Sequence, residues 1–202
     1  MISGFIKTVK FIALGIFPIL LGLTFTAHDF IHVVYSDKWL LTVIPMQILC
    51  VGIAFGTVNT ALNSLMNAKG RPDLPLKWNG IRLVITAISI LIGVHWGVIV
   101  GVAWGMVAAE FFSIGLVYQT FRLLDKDFKR YFYAMTPASV SSIVMMICLF
   151  VVNQIFLKES IPAVRLGIDF VVGAAVYISV VVFCFKSTLT ESINIIKMFS
   201  KR

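Results

Sequence analysis

The chain alternates between long apolar blocks and short polar breaks. A helix rises 1.5 Å per residue, so roughly 20 apolar residues cross the ~30 Å hydrocarbon core of a bilayer. Strands of a transmembrane barrel would instead show alternating segments of about ten residues. The pattern therefore predicts an all-α integral membrane fold with six transmembrane helices. The apolar blocks occupy about residues 11–35, 40–66, 79–95, 98–120, 136–157 and 164–186.

Composition supports lipid as the surrounding solvent. Of the 202 residues, 59% are apolar and 13% are charged, and the mean hydropathy is +0.98. A soluble domain has about 45–50% apolar and about 25% charged residues. The three cysteines, Cys50, Cys148 and Cys184, each fall within a predicted span and lack CxxC spacing. They indicate small buried side chains, and nothing about redox chemistry follows from them.

Positive charge is distributed unevenly among the polar breaks. If the amino terminus is cytoplasmic, fourteen of the 17 Lys and Arg residues lie inside, and only Lys38, Lys158 and Arg165 lie outside. The positive-inside rule therefore predicts that both termini are cytoplasmic. The net charge of +8 is then explained by topology and anionic membrane lipids, without nucleic acid as a partner. The inside cations are Lys7, Lys10, Lys69, Arg71, Lys77, Arg82, Arg122, Lys126, Lys129, Arg130, Lys186, Lys197, Lys201 and Arg202.

Two polar segments have the spacing of amphipathic helices that lie on the inner membrane surface. In residues 122–135, apolar side chains recur at helical spacing opposite the charged ones. In residues 187–202, Thr188 and Glu191 form a capping-box pattern before an apolar stripe. We expect an amphipathic cytoplasmic tail at 187–202, with a frayed terminus as the alternative.

The segment HDFIH, residues 28–32, is similar to the HExxH zinc motif. His28 and His32 lie one helical turn apart, but Asp29 is one methylene shorter than the glutamate of that motif, and no third ligand is near in sequence. The segment is better explained as the wet outer end of the first helix, at the level of the headgroups. No metal site, cofactor or catalytic set follows from the sequence, so we expect that the protein is not an enzyme.

Glycines recur every four residues at Gly93, Gly97, Gly101 and Gly105. The spacing lets two helices approach closely, and Gly93 to Gly97 also supplies a tight outside turn. Glu110 lies about thirteen residues beyond Gly97, so it is roughly 20 Å deep along its helix. At that depth it must be neutral, paired or in a watery cavity, and both a structural hydrogen bond and a transport role remain open.

One side of the second helix is unusually polar for a transmembrane segment. Asn59, Asn63 and Asn67 fall there together with Gly56 and Thr60. Burying amides in lipid is costly, so such a face tends to line a cavity or contact a partner.

Several motifs occur in an order that is typical of one family. They are a helix containing Pro18, then YSDKWLLTVIPMQIL (35–49), LNSLMNAKGRPDLPLKWNGIRLVI (62–85) and WGVIVGVAWGMVAAE (96–110). Over about residues 5–157 the chain resembles the carboxy-terminal half of bacterial lipopolysaccharide, O-antigen and colanic-acid type flippases, in the multidrug/oligosaccharidyl-lipid/polysaccharide exporter superfamily. Ser36 stands where the family usually has glycine.

The resemblance implies one six-helix lobe, residues 1–202, of a two-lobed exporter in the bacterial inner membrane. The exporter would move polyprenyl-pyrophosphate-linked oligosaccharide units between leaflets by alternating access. A truncated product, a chain paired with a second lobe or a second copy of itself, and a chain started at an internal methionine all remain open. A membrane scaffold that does not transport is the main alternative function, and an integral membrane enzyme lacks a convergent catalytic set.

Such a pathway needs cations for pyrophosphate and hydrogen-bonding groups for sugars. We expect Arg82, at the cytoplasmic foot of the third helix, to bind pyrophosphate. Asn59 and Asn63 are expected to bind sugars, and Glu110 to sense a coupling ion. Three further cations would concentrate the anionic lipid nearby, although topology alone also explains them. These are Lys69, Arg71 and Lys77.

Overall fold

The computed structural model describes residues 2–123, 129–155 and 160–184, and the described residues are helical apart from short turns. Within these described residues, six segments are long and apolar enough to cross a membrane, which confirms the all-α, six-span prediction. The expected tail at 187–202 lies outside the described residues. The helices are α1 (Ile2–Tyr35), α2 (Val43–Ala68), α3 (Asp73–Phe112), α4 (Ile114–Leu123), α5 (Lys129–Ile155) and α6 (Pro162–Cys184), with a 3-10 helix at Asp37–Thr42 before α2.

The helical stretch α3 is folded back on itself as a hairpin. In a straight helix Arg82 and Glu110 would lie about 42 Å apart, yet they form an ion pair. Gly93 and Gly101 would be about 12 Å apart, yet their backbones touch. The chain therefore reverses between His95 and Ile99. The first arm of α3 is the span Asp73–His95, and the second arm begins the span Ile99–Gln119, which continues into α4.

Small residues let the two arms of α3 pack closely. A Cβ atom on Gly105 would lie 2.6 Å from the Cβ atom of Ser89, nearer than real side chains approach. At Gly93, an added Cβ would lie 2.6 Å from the backbone nitrogen of Val102. The prediction of close packing is confirmed for Gly93, Gly101 and Gly105.

Helix α1 lies at the centre of the helix packing. It packs against α2, α5 and α6, whereas α3 packs against α2 and α4. A cluster of rings joins Phe5 near the start of α1 to Phe121 of α4, and Phe121 to Tyr131 of α5. This cluster brings together the helix ends that carry Lys7, Arg122 and Lys129. We call this end of the protein the cation-rich end.

Helix α5 begins earlier than expected. The segment 122–135 was predicted to lie on the membrane surface, but α5 runs without interruption from Lys129 to Ile155. Tyr131 and Met135 are buried in the protein core, with exposed fractions of 3% and 4%. The surface-helix prediction is therefore wrong for residues 129–135, because Tyr131 and Met135 of the apolar stripe face other helices.

A buried polar network ties three helices at the opposite end of the protein. The Asp29 carboxylate of α1 lies 3.6 Å from the Arg165 guanidinium of α6. The Asn153 amide of α5 donates a hydrogen bond of 2.6 Å to Asp169 of α6. Asp29 was expected at the level of the headgroups, but it is buried between helices. This placement gives the carboxylate a cation as partner, which offsets the cost of burial.

Candidate functional site

The two arms of α3 bring a cation and a carboxylate together inside the helical unit. The Arg82 guanidinium donates a hydrogen bond to Oε1 of Glu110 and forms an ion pair with it. The Glu110 side chain is 15% exposed, whereas the Arg82 side chain is 38% exposed. Glu110 was expected to be neutral, paired or in a watery cavity, and the structure shows it paired. Its partner Arg82 remains partly exposed.

Helix α2 covers the Glu110 carboxylate at a glycine. A Cβ atom added to Gly56 would lie 2.5 Å from Oε2 and 2.7 Å from Cδ of Glu110. A side chain at position 56 would therefore displace the Glu110 carboxylate from this position. Gly56 thus holds the carboxylate between α2 and the second arm of α3.

A small cavity lies beside the same carboxylate. Among the described residues, Oε2 of Glu110 is buried and has no hydrogen-bond partner. The cavity measures about 20 Å³, and one water molecule needs about 10–15 Å³. Glu110 therefore borders a cavity about the size of a water molecule, and the rest of the lining is mostly apolar. The lining residues are Gly52, Phe55, Glu110, Phe111, Ile114, Tyr131, Phe132 and Met135.

Arg82 lies deeper than the sequence suggests. Because α3 begins at Asp73 rather than at residue 79, Arg82 is nine residues, or about 14 Å, along the helix. It is therefore above the foot of its helix and level with Glu110. Lys69, Arg71 and Lys77 are exposed near the start of the hairpin, and no contact joins them to the ion pair among the described residues.

The polar face of α2 is only partly accounted for. Asn63 lies two turns after Gly56, on the same face of the helix, and is half-buried. Its Oδ1 atom is buried and lacks a hydrogen-bond partner among the described residues. Asn59 lies in α2, but its side chain is outside what the structure describes. Thr60 and Asn67 are exposed.

Sequence reasoning did not foresee the pairing of Arg82 with Glu110. The two residues are 28 positions apart, and periodicity within one helix does not report such contacts. The usable signal was the turn near residue 97, since Arg82 and Glu110 lie at similar distances on either side of it. Trp78 and Gln119 also lie at similar distances on either side of this turn. The Trp78 indole donates a hydrogen bond of 2.6 Å to the Gln119 side chain.

Comparison with known proteins finds similarity in part of the chain. No family model matches the chain, and no solved structure matches it. An uncharacterised membrane protein in the cps region of Klebsiella pneumoniae is 32% identical over 93 residues, which is 46% of this chain and 19% of that protein. The teichuronic acid biosynthesis protein TuaB of Bacillus subtilis strain 168 is 32% identical over 95 residues, or 47% of this chain and 20% of TuaB.

A third relative is the lipopolysaccharide biosynthesis protein WzxC of Escherichia coli K12. It is 31% identical over 90 residues, which is 45% of this chain and 18% of WzxC. The matched segments thus span no more than a fifth of these relatives. The six apolar helices and the relatives identify a multi-pass membrane protein. The similarity confirms the predicted resemblance to membrane proteins of bacterial polysaccharide biosynthesis.

Proposed function

We propose that the chain is one lobe of a transporter that moves polyprenyl-pyrophosphate-linked oligosaccharide units across the bacterial inner membrane. The observation that carries the proposal is the Arg82–Glu110 ion pair, because it places a half-exposed guanidinium between two membrane-spanning arms. The similarity to proteins of teichuronic acid and lipopolysaccharide biosynthesis supports a polysaccharide role. No covalent bond changes in such a reaction.

The ion pair suggests how substrate and coupling ion are linked. A guanidinium presents a planar fork that holds a phosphate through two parallel hydrogen bonds, which an ammonium does not reproduce. In the resting state Glu110 occupies part of that fork. Pyrophosphate would displace the carboxylate, and a proton or small cation taken up at Glu110 would release Arg82 to the substrate. Binding of the ion and of the lipid would then favour each other.

The remaining polar residues are assigned by position. Lys69, Arg71 and Lys77 lie in the approach to the hairpin and would attract the anionic headgroup by long-range charge. Asn63, with an unpartnered Oδ1 on the Gly56 face of α2, would bind sugar hydroxyls, and Asn59 lies one turn nearer Gly56. The cation-rich end would face the cytoplasm, so both termini would be cytoplasmic.

Alternating access requires a second body to move against this one. The relatives extend well beyond the segment that they share with this chain, so a complementary lobe or a second copy of the chain would complete the pathway. The cavity would form between the two lobes and open in turn to each leaflet.

Removal of the gene from its host tests the transport function. We expect the lipid-linked oligosaccharide to accumulate in the inner leaflet and surface polysaccharide to fall, with recovery when the wild-type gene is restored. Normal surface polysaccharide together with an unchanged pool of the lipid-linked unit would contradict the proposal.

A scaffold that does not transport would have the polar face of α2 dry and packed, whereas a transporter would expose that face to water. A cysteine at position 63, in a chain whose Cys50, Cys148 and Cys184 are replaced, should react with a small water-soluble thiol reagent. Lack of reaction would favour a dry, packed face and therefore the scaffold. The matched control is a cysteine at Ala54, which is fully buried in α2.

A further inference from the structure

A groove separate from the ion pair opens between α1 and α2 near the cation-rich end. Its volume is about 420 Å³, within the roughly 300–1,000 Å³ range of small-molecule sites. Both helices are long and apolar enough to span the membrane, so the groove lies between two transmembrane segments. Its lining mixes hydroxyl and apolar side chains: Phe5, Thr8, Ile12, Thr60, Ala61, Ser64 and Leu65. This differs from an ordinary lipid-facing surface, which has no need of three exposed hydroxyls.

The groove and the ion pair lie at different heights along α2, and neither Arg82 nor Glu110 lines the groove. Gly56 lies against Glu110 of α3, whereas Thr60 and Ser64 lie further along α2 and line the groove. A ligand in the groove would therefore leave the Arg82–Glu110 pair undisturbed. Ligand binding in the groove is accordingly independent of the transport function.

The hydrogen bonds within the groove define the chemistry of its ligand. Thr8 donates its hydroxyl hydrogen to the Gly4 carbonyl at 3.1 Å, and Thr60 donates its own to the Thr57 carbonyl at 2.7 Å. Both oxygens can therefore only accept further hydrogen bonds. Ser64 is exposed and makes no hydrogen bond within the described residues, so it can both donate and accept. The groove thus fits a group rich in donors, either an ammonium or a polyol.

Charge decides between these two groups. Lys7 precedes Thr8 in α1, Lys69 lies one turn beyond Leu65 at the end of α2, and both side chains are exposed. Two cations near the mouth repel an ammonium and attract a phosphate. A headgroup that carries hydroxyls next to a phosphodiester satisfies both conditions, while Phe5 and Ile12 offer contact to the acyl chains.

We propose that this groove binds an anionic bilayer lipid with a polyol headgroup, of the phosphatidylglycerol class. The glycerol hydroxyls donate to Thr8 and Thr60, Ser64 bonds a headgroup or ester oxygen, and the phosphate lies toward Lys7 and Lys69. We assign a bilayer lipid rather than the transport substrate because the groove lies between two transmembrane segments and Arg82 is not among its lining residues.

Native mass spectrometry of the full chain, taken from nanodiscs of equimolar phosphatidylglycerol and phosphatidylcholine, tests the proposal. We expect the chain to retain phosphatidylglycerol in preference. The double variant Thr60→Val and Ser64→Ala keeps the shape of the groove and should lower that preference by about two- to tenfold per hydroxyl lost. The matched control is Thr57→Val, which removes an exposed hydroxyl of α2 that is outside the groove.

Three results would overturn the proposal. One is equal retention of the two lipids by the wild-type chain. A second is retention of phosphatidylglycerol that is unchanged in the double variant, as expected if another protein segment covers the groove. The third comes from adding a polyprenyl-phosphate sugar lipid to the same nanodiscs. If that lipid displaces phosphatidylglycerol from the wild-type chain, the groove serves the substrate instead.

Discussion

A double-mutant cycle on Arg82 and Glu110 measures how strongly the two arms of α3 are tied. The changes are Arg82→Gln and Glu110→Gln, made singly and together. Each single change leaves one charge without its partner, whereas the double change removes both charges and keeps two amides that can hydrogen bond. The losses of stability of the two single variants should therefore add up to more than the loss of the double variant.

The size of the effect follows from burial. Breaking a fully buried ion pair by removing one partner costs about 3–5 kcal/mol. Arg82 is 38% exposed, so water screens the stranded charge, and we expect about 1–3 kcal/mol for each single variant. The double variant should recover part of this loss, with a coupling energy of about 1–2 kcal/mol.

The cycle is measured by unfolding the purified chain in mixed micelles of increasing denaturing detergent, followed by tryptophan fluorescence. Trp78 contributes to the signal, since it lies on the first arm of the hairpin and its indole bonds Gln119 of α4. Arg71→Gln is the matched control, because Arg71 is exposed at the start of the hairpin and its loss should change stability by less than about 0.5 kcal/mol. If the single effects add up to the double effect within about 0.5 kcal/mol, the pair is not coupled and the reasoning fails.

Three further predictions follow from the proposed transporter. Reporter fusions at residues 73, 127 and 202 should all report the cytoplasm, and a periplasmic signal at residue 73 would contradict the topology. Crosslinking in native membranes should trap a complementary lobe or a second copy of the chain, and a strictly monomeric chain that still moves lipid-linked oligosaccharide in vesicles would refute the need for one. Glu110→Gln should change the pH or ion dependence of transport at near-normal protein abundance, and unchanged transport at every pH would make Glu110 structural.

The spans could be predicted from sequence because each helix must be apolar along its whole length in lipid. The turn of the α3 hairpin could be predicted as well, since Gly93 and Gly101 are spaced for close packing. The start of α5 was misjudged for a related reason. An amphipathic stripe shows that one face is buried, but not whether lipid or another helix buries it, and Tyr131 is covered by protein.

Side-chain partners were harder to predict than helices. Asp29 and Arg165 are far apart in sequence, and the polarity around His28 favoured a wet helix end rather than a buried pair. Glu110 was recognised as a costly group in the membrane, and its depth was estimated from the turn. Its partner was missed because Arg82 was assigned to the helix foot, when α3 in fact begins six residues earlier, at Asp73.

The most direct test of the central claim compares Arg82→Lys with Arg71→Lys in the native host, with transport measured as the ratio of surface polysaccharide to inner-leaflet lipid-linked oligosaccharide. Lysine keeps the charge but loses the two-pronged contact with pyrophosphate. The account predicts that Arg82→Lys lowers this ratio by about tenfold, the loss of roughly one charge-assisted hydrogen bond, while Arg71→Lys changes it little. Equal ratios in both variants, at equal protein abundance, would contradict the assignment of Arg82 as the site that binds pyrophosphate.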